Sequence, residues 1–576
     1  MDPTCGSGAF LFAALNLLEP LYEVCISRME EFNVQDRNCF NEQLSEIQNK
    51  YRSNIQYFIY KSIILRNLYG VDIMAEAVEI AKLRLFLKMV AVVDVDNRAE
   101  NMGLDPLPDI DFNIRCGNTL VGYANEHSIE LDLYGANANL FLAQESSGRI
   151  SEQLKLVSKA YCSFRDEQLK AGDSVHAYKY AKEQLSNALS NLNIELNSHI
   201  FKASGSDSYD EWIKNHQPFH WISEFYQIIT ENGGFDVIIG NPPYVSISKI
   251  DYLSLSEDFK SGDLYGYVIR RVYDILCPRG RHGFIVMHSL AFSGNYCDVR
   301  KIIKTQSNSA WFSSYGRIPA GLFSGNVRVR NTIYLTAPSG NNYFTSRMHR
   351  WFTEQRPTIF NTLKYSSFLW TDEIPRLYDA SLQSVYENKR GQHISSYKSK
   401  MGNNFFYKKV AYNWLSVSHI EPPTQDLLGT QIPQSSSSIG IMRIDKQYYE
   451  IILLLCSGKL YMSKWLTYGD DFHLMEKDLT NFVFPFASIT DEDKMALHQI
   501  YLEFTEELPN TVQFKLNAGI RVGTFNTKSL WHITDKSDMI FYKYLSEQPI
   551  LLKELIENHL SVSILTDKGN EPFDEE

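Results

Sequence analysis

An apolar run that ends in an amide, two prolines and an aromatic ring, Phe235-Asp236-Val237-Ile238-Ile239-Gly240-Asn241-Pro242-Pro243-Tyr244, is the sharpest chemical signal in this chain. The prolines fix φ and remove two backbone donors, so the turn after the run is stiff and rich in acceptors. The Asn241 side-chain oxygen and the Pro242 carbonyl can both accept hydrogen bonds from one NH2 group, while Tyr244 offers a ring for stacking. A turn of this composition suits a planar exocyclic amine.

Three other segments carry chemistry. Asp2-Pro3-Thr4-Cys5-Gly6-Ser7-Gly8 runs directly into the apolar helical stretch Ala9–Leu18. Its glycines let backbone approach a ligand closely, and the helix start offers unpaired N–H groups. A phosphate loop would carry Lys and Ser or Thr after its last glycine; Ala9-Phe10 stands there instead, which argues against nucleoside triphosphate binding. Gly70-Val71-Asp72-Ile73 puts a carboxylate at the end of a predicted strand, where it suits ribose hydroxyls or caps the helix that follows. Arg115-Cys116-Gly117-Asn118-Thr119-Leu120 places an amide just past another strand, suited to the edge of an adenine or serving simply as a turn.

The elements that must position these residues read as an α/β domain. Short β-rich runs at Leu68–Ile73, Asn113–Arg115, Phe235–Ile239, Gly283–Met287 and Asn331–Leu335 alternate with helical stretches, the pattern of a mostly parallel sheet. The stretch from Met74 to about Val92 brings Ala77, Val78, Ala81, Leu85 and Met89 near one face, as a sheet-covering helix does. Two insertions interrupt the alternation: residues 21–54, and a helical hairpin over Ser151–Asn197, which is rich in helix formers. Loops are expected at Pro338–Asn342 and Gln434–Ser438. Beyond them lies an aromatic-rich, irregular region with a last amphipathic helix near Met539–His559 and an acidic end, Asp574-Glu575-Glu576.

Composition bounds the rest. The chain has 576 residues, 56 Lys+Arg against 68 Asp+Glu, and a formal net charge of −12, so charge-driven binding over the whole surface is not expected, although a local basic cleft is compatible with it. Eight cysteines without a CxxC pair argue against a disulfide framework or a zinc site, and no metal-ligand set is read. The longest aliphatic run, Ile451–Cys456, is far short of the roughly 20 residues a membrane-spanning helix needs, so no membrane segment is expected. Without a recognisable secretory signal, the cytoplasm is the expected compartment.

With these motifs in this order, the chain resembles the gamma class of N6-adenine DNA methyltransferases, above all the large single-chain enzymes of type IIG restriction–modification and related phage-defence systems. The resemblance covers roughly residues 1–337. It implies a class I, Rossmann-like methyltransferase sheet with a helical insertion at about 124–230, followed over 338–576 by a mixed α+β target-recognition domain and C-terminal helix. It further implies that Asp2, Gly6 and Gly8 cradle the methionine part of S-adenosylmethionine, that Asp72 takes its ribose hydroxyls and that Asn118, where many relatives carry Asp, takes its adenine. Asn241, Pro242 and Tyr244 would hold the target adenine. Leu322-Phe323-Ser324-Gly325-Asn326-Val327-Arg328-Val329-Arg330-Asn331 resembles a later motif in which an aromatic residue, here Phe323, stacks on the base's other face. The Asp263-Leu264-Tyr265 segment would support the fold.

The implied partner is double-stranded DNA. Arg279, Arg281, Arg328, Arg330, Lys398, Lys400, Lys408 and Lys409 are the basic candidates for its contact, several of them interleaved with aromatics. The family places a hydrophobic strand directly before Asp-Pro, whereas this sequence begins Met1-Asp2. The expectation is therefore an N-terminally incomplete catalytic part that relies on a separate polypeptide for that region or for a nuclease, since Pro108-Asp109 lacks a correctly spaced acidic-x-Lys partner. Two other readings stay open: a silent DNA-binding remnant or subunit, and a methyltransferase acting on a protein glutamine amide or on RNA.

Overall fold

The computed structural model describes residues 1–35, 39–51, 54–95, 107–134, 140–169, 175–250, 259–323, 329–433, 437–517 and 519–563. The chain divides into two units: Met1–Ile285 with Thr305–Ser307 and Leu335–Ser339, and Val286–Lys304 with Asn308–Tyr334 and Gly340 onward. Strands Leu276–Met287 and Asn331–Ala337 each have residues in both units.

The first unit is built on apolar stripes that cover short parallel strands. Helix α1 (Ala9–Gln35) and helix α2 (Ile55–Asn67) precede strand β1 (Gly70–Asp72), helix α3 (Ala75–Val90) and strand β2 (Ile114–Cys116). β1 and β2 pair in parallel from Gly70 opposite Ile114 to Asp72 opposite Cys116. Val78, Ala81, Leu85 and Met89 recur at helical spacing on α3 and are buried with Leu11 and Leu15 of α1 and with Ile59, Ile63 and Ile64 of α2. Each such aliphatic side chain larger than alanine adds about 1.5–3 kcal/mol on burial, which holds α1 and α3 against the strands.

Helix α1 departs from the sequence reading in two ways. It runs through Pro20 to Gln35 instead of stopping near Leu18, with Tyr22 and Ile26 packed against the same core beyond the proline. It is also long and apolar enough, by length and composition, to cross a membrane, with a mean hydropathy of 1.5 over its most apolar window. That corrects the expectation that no such segment exists, which rested on counting aliphatic runs and overlooked a stretch in which Ala, Phe and Leu are interrupted by few charges. The first turns of α1 are nonetheless core: Leu11 and Leu15 are buried.

The inserted hairpin is longer than its sequence signal. Helix α4 (Leu140–Leu169) and helix α5 (Val175–Ser204) pack on each other, burying Ile150, Leu154 and Val157 on one and Leu185, Leu189, Leu192 and Leu196 on the other. Strand β3 (Phe235–Gly240), helix α6 (Leu264–Ile275) and strand β4 (Leu276–Met287) complete the frame, with β3 parallel to β4 and Gly240 opposite Phe284. Between β1 and β3 lie Met1 and Asp2. The Asp2 N–H donates to Tyr69 O (3.0 Å), Val71 N–H donates to Asp2 O (3.0 Å), and Ile239 N–H donates to Met1 O (2.9 Å). These two residues thus satisfy backbone groups on both neighbouring strands.

In the second unit, strand β5 (Ser309–Tyr315) runs parallel to strand β6 (Tyr343–His349), which pairs antiparallel with strand β7 (Ser366–Phe368). β5 carries no alternating pattern: Ser309, Ser313 and Ser314 are buried on it, which hid it from a reading by hydropathy. Strand β8 (Lys398–Lys408) lies between Val417–Ser418 and strand β9 (Ile439–Ile444). Helices α7 (Tyr449–Ser457) and α8 (Lys459–Tyr468) are almost wholly buried. The single helix expected near Met539–His559 is two, α9 (Trp531–Leu545) and α10 (Pro549–Ser563), because Pro549 cannot continue a helix but suits the first position of a new one. The acidic end lies outside the described residues.

Candidate active site

The glycine segment is a turn pinned to β1. Cys5 N–H donates to Val71 O (2.9 Å), Thr4 N–H to Asp2 Oδ1 (3.1 Å) and Gly8 N–H to Cys5 O (2.8 Å). Gly6 and Gly8 have φ of +50° and +78°, a region that side chains other than glycine's enter at a cost. Their surroundings differ. A Cβ on Gly8 would lie 2.9 Å from Ala81 Cβ of α3, so that glycine serves packing, whereas a Cβ on Gly6 would meet nothing within 4 Å.

Asp72 joins this turn to the end of β1. Its Oδ2 accepts from Gly6 N–H (2.8 Å) and its Oδ1 from Met74 N–H (2.9 Å) ahead of α3. Met74 itself stands at the N-cap of α3, so Asp72 closes the turn ahead of the helix and is not its cap, and its carboxylate has lone pairs to spare. At the end of β2, Asn118 is 4% exposed, and its Oδ1 accepts from Leu120 N–H (3.0 Å) while its Nδ2 has no partner. The oxygen spends one of its two lone pairs within the turn, and the Nδ2 donor is unspent. Thr119, which the sequence did not single out, hydrogen-bonds through its hydroxyl to Pro3 O and ties the Asn118 turn to the glycine turn.

Asn241 follows β3 directly. Tyr244 O–H faces Asn241 Oδ1 at 2.7 Å and Ile285 O at 3.1 Å, and its ring meets Tyr265 edge-on at 6.4 Å. Gly240 is where the two loops meet: a Cβ there would lie 2.6 Å from Asp2 Oδ1 and 3.4 Å from the Phe284 ring. Only a glycine before the Asn-Pro-Pro-Tyr turn lets it pass so close to the glycine segment, a signal visible in the sequence and not used. Asp72, Asn118 and Asn241 stand at or just past the carboxyl ends of parallel strands, where open α/β sheets bind ligands, and Asp2 bridges to Gly70 beside them. Asp2 is 1% exposed, and burial pushes its carboxyl up to about 7, the Thr4 N–H pulling the other way.

The remaining expected residues are distributed differently. Phe323 is half-buried in the second unit, and Arg328 lies outside the described residues. Arg279 and Arg281 are exposed early on β4, where Arg281 is level with Val237, the third residue of β3, and not with the Asn241 turn. Arg330 pairs with Asp470 at 3.1 Å, Lys398 pairs with Glu476, and Lys408 Nζ donates to Thr524 Oγ1 at 3.1 Å. These three are engaged within their own unit. Lys400 and Lys409 are exposed.

Residues 66–316 match the family described as Eco57I restriction-modification methylase, and residues 1–128 match the MmeI DNA-methyltransferase domain. Residues 1–316 are thus covered by the two methyltransferase family models taken together. A Methanocaldococcus jannaschii protein assigned as a type II restriction enzyme and methyltransferase is 30% identical over 350 residues, 53% of this chain and 27% of that protein. The chain thus matches about a quarter of the length of that relative. Among solved structures, the type IIL restriction-modification enzyme MmeI in complex with DNA aligns at 11% identity over 66% of this chain and 65% of that one, with a TM-score of 0.33. A DrdV–DNA complex aligns at 13% identity over 64% and 26%, with a TM-score of 0.29. Scores this low carry no weight for the architecture.

Proposed function

We propose that this chain transfers a methyl group from S-adenosylmethionine to N6 of an adenine turned out of double-stranded DNA, as the modification activity of a cytoplasmic restriction–modification system. The observation that supports this reading is the close approach of Gly240, directly before the Asn241-Pro242 acceptors, to Asp2 of the glycine segment, whose Gly6 N–H in turn donates to Asp72.

The residues present suit the cofactor. Gly6 leaves open space in the cradle, Asp2 and Asp72 offer carboxylates, and Asn118 holds a buried donor without a partner. When bound, S-adenosylmethionine supplies an electrophilic methyl group on a sulfonium. Asn241 and Pro242 accept from the two N–H bonds of the target amine and so aim its lone pair, while Tyr244 offers a ring to a face of the extruded base, recovering part of the few kcal/mol that unstacking costs. Catalysis on this reading is orientation and electrostatic preorganisation; the surplus proton, made acidic once the nitrogen carries the methyl group, passes to water after transfer, so no strong base is required. Lys400 and Lys409 are the side chains we assign to backbone phosphates, with Arg279 and Arg281 as secondary candidates.

The test is methyl-labelled cofactor with DNA, RNA and protein acceptors, followed by nucleoside analysis. Label in N6-methyladenine of DNA is expected; label confined to RNA or protein, or none at all from the protein at its full natural length, overturns the reading.

Asp2 makes cofactor binding depend on pH. S-adenosylmethionine is cationic at its sulfonium and ammonium groups, so it favours the ionised carboxyl. Below the value of about 7 the carboxyl is protonated in the free protein, and affinity is expected to fall toward about tenfold per pH unit. The ligand-free fold responds in the opposite sense. A carboxyl raised from the ordinary range of about 4 contributes stability below that range and loses it as pH rises through about 7. Calorimetric titration between pH 6 and 8 checks this, and Asp2→Asn should flatten the profile; an unchanged slope in that variant would exclude Asp2 as its source.

A further inference from the structure

The hydrogen bonds at Tyr244 do not balance with the Asn241 amide as it is oriented. One phenolic proton faces two acceptors, Asn241 Oδ1 at 2.7 Å and the Ile285 carbonyl at 3.1 Å. It can serve only one of them at full strength. The oxygen and nitrogen of a side-chain amide have nearly the same shape, and the hydrogen bonds around them decide which is which. Turning the amide end for end removes the conflict. Asn241 Nδ2–H then donates to Tyr244 Oη, and the Tyr244 proton goes to the Ile285 carbonyl. Asn241 Oδ1 is released from the tyrosine with its lone pairs available.

We propose that the Tyr244 hydroxyl is a positioning group. Anchored on the Ile285 carbonyl of β4, it sets the Asn241 amide with its oxygen toward the substrate amine. The proposal rests on the adenine reading above and adds to it, because stacking needs only the ring. The chemistry gives the hydroxyl its importance: an amide turned the other way would present NH2 to NH2, a donor facing a donor. The anchor is rigid, since Ile285 lies within a strand and Pro242 is buried beside the loop.

The test is Tyr244→Phe in the protein at its full natural length, which keeps the ring and removes the hydroxyl. Once the methylated site has been mapped, three quantities are read: single-turnover methyl transfer, fluorescence of 2-aminopurine placed at the target position, and cofactor affinity. Transfer is expected to fall at least about tenfold, in line with the sensitivity of rate to misorientation, while the 2-aminopurine signal and the cofactor Kd stay within about twofold. A smaller fall overturns the proposal, and so does a fall accompanied by loss of the 2-aminopurine signal, which would make the hydroxyl part of base capture. Absence of N6-methyladenine in the parent protein would overturn the underlying reading instead, so the two failures are distinguishable.

Discussion

Asn241→Ala is expected to lower methyl transfer by about a hundredfold to a thousandfold while leaving S-adenosylmethionine affinity within about twofold. The magnitude is that of removing one preorganised polar contact to a reacting group in a site closed to water. The selectivity follows from the geometry. Asn241 hydrogen-bonds with Tyr244, whereas the glycine turn is held through hydrogen bonds with Val71 and Asp72 that do not involve the Asn241 side chain. Alanine leaves the Pro242 carbonyl in place, so the amine keeps one acceptor and loses the second, and its lone pair is no longer aimed. The rate under single turnover and a calorimetric cofactor titration on the same preparation decide it. Transfer retained within about threefold would remove the amine-holding role from Asn241.

Arg350→Met is expected to destabilise the second unit by about 3–5 kcal/mol, the usual consequence of taking one partner from a buried ion pair. Arg350 donates through Nε to Asp471 Oδ1 at 3.0 Å and through Nη1 to Tyr412 O at 2.8 Å, and its guanidinium lies 4.0 Å from the Tyr412 ring centroid. Both side chains of the pair are shielded from water. Burial pushes the Asp471 carboxyl up against the opposing pull of Arg350, so methionine would leave a carboxylate that can neither ionise cheaply nor find a donor. Arg350→Lys should recover only part of the loss, because an ammonium cannot form the planar fork that spans Asp471 and Tyr412. Urea unfolding of the two variants measures both effects. A loss under about 1 kcal/mol for methionine would mean that the pair is not holding this region together.

The chemistry of the site was legible where it is local. Two prolines after Asn241 stiffen the turn whatever surrounds it, and glycines at positions 6 and 8 permit the positive φ found there. The stripe on α3 is a matter of helical spacing. The match to the methylases covers the part of the chain that carries those motifs. Helix ends were less legible: the strong apolar run of α1 carries the helix past Pro20, and Pro549 divides a stretch whose periodicity reads as one helix.

Residue types and their order thus gave the groups with acceptor capacity, the turns whose glycines can take positive φ, and the alternation of strands and helices around them. Folding assigned the work of each group, through contacts that span long separations in the chain. Asp72 spends one oxygen on Gly6, 66 positions away; Arg330 is taken up by Asp470, 140 positions away; and Asn118 has its oxygen turned inward to Leu120 inside a turn that Thr119 ties to Pro3. Hydrogen bonds and ion pairs reach only a few ångströms, and a carboxyl such as Asp2 has its affinity for protons set by the water it has lost. Neither distance nor desolvation is written along the chain until its distant segments have been brought together.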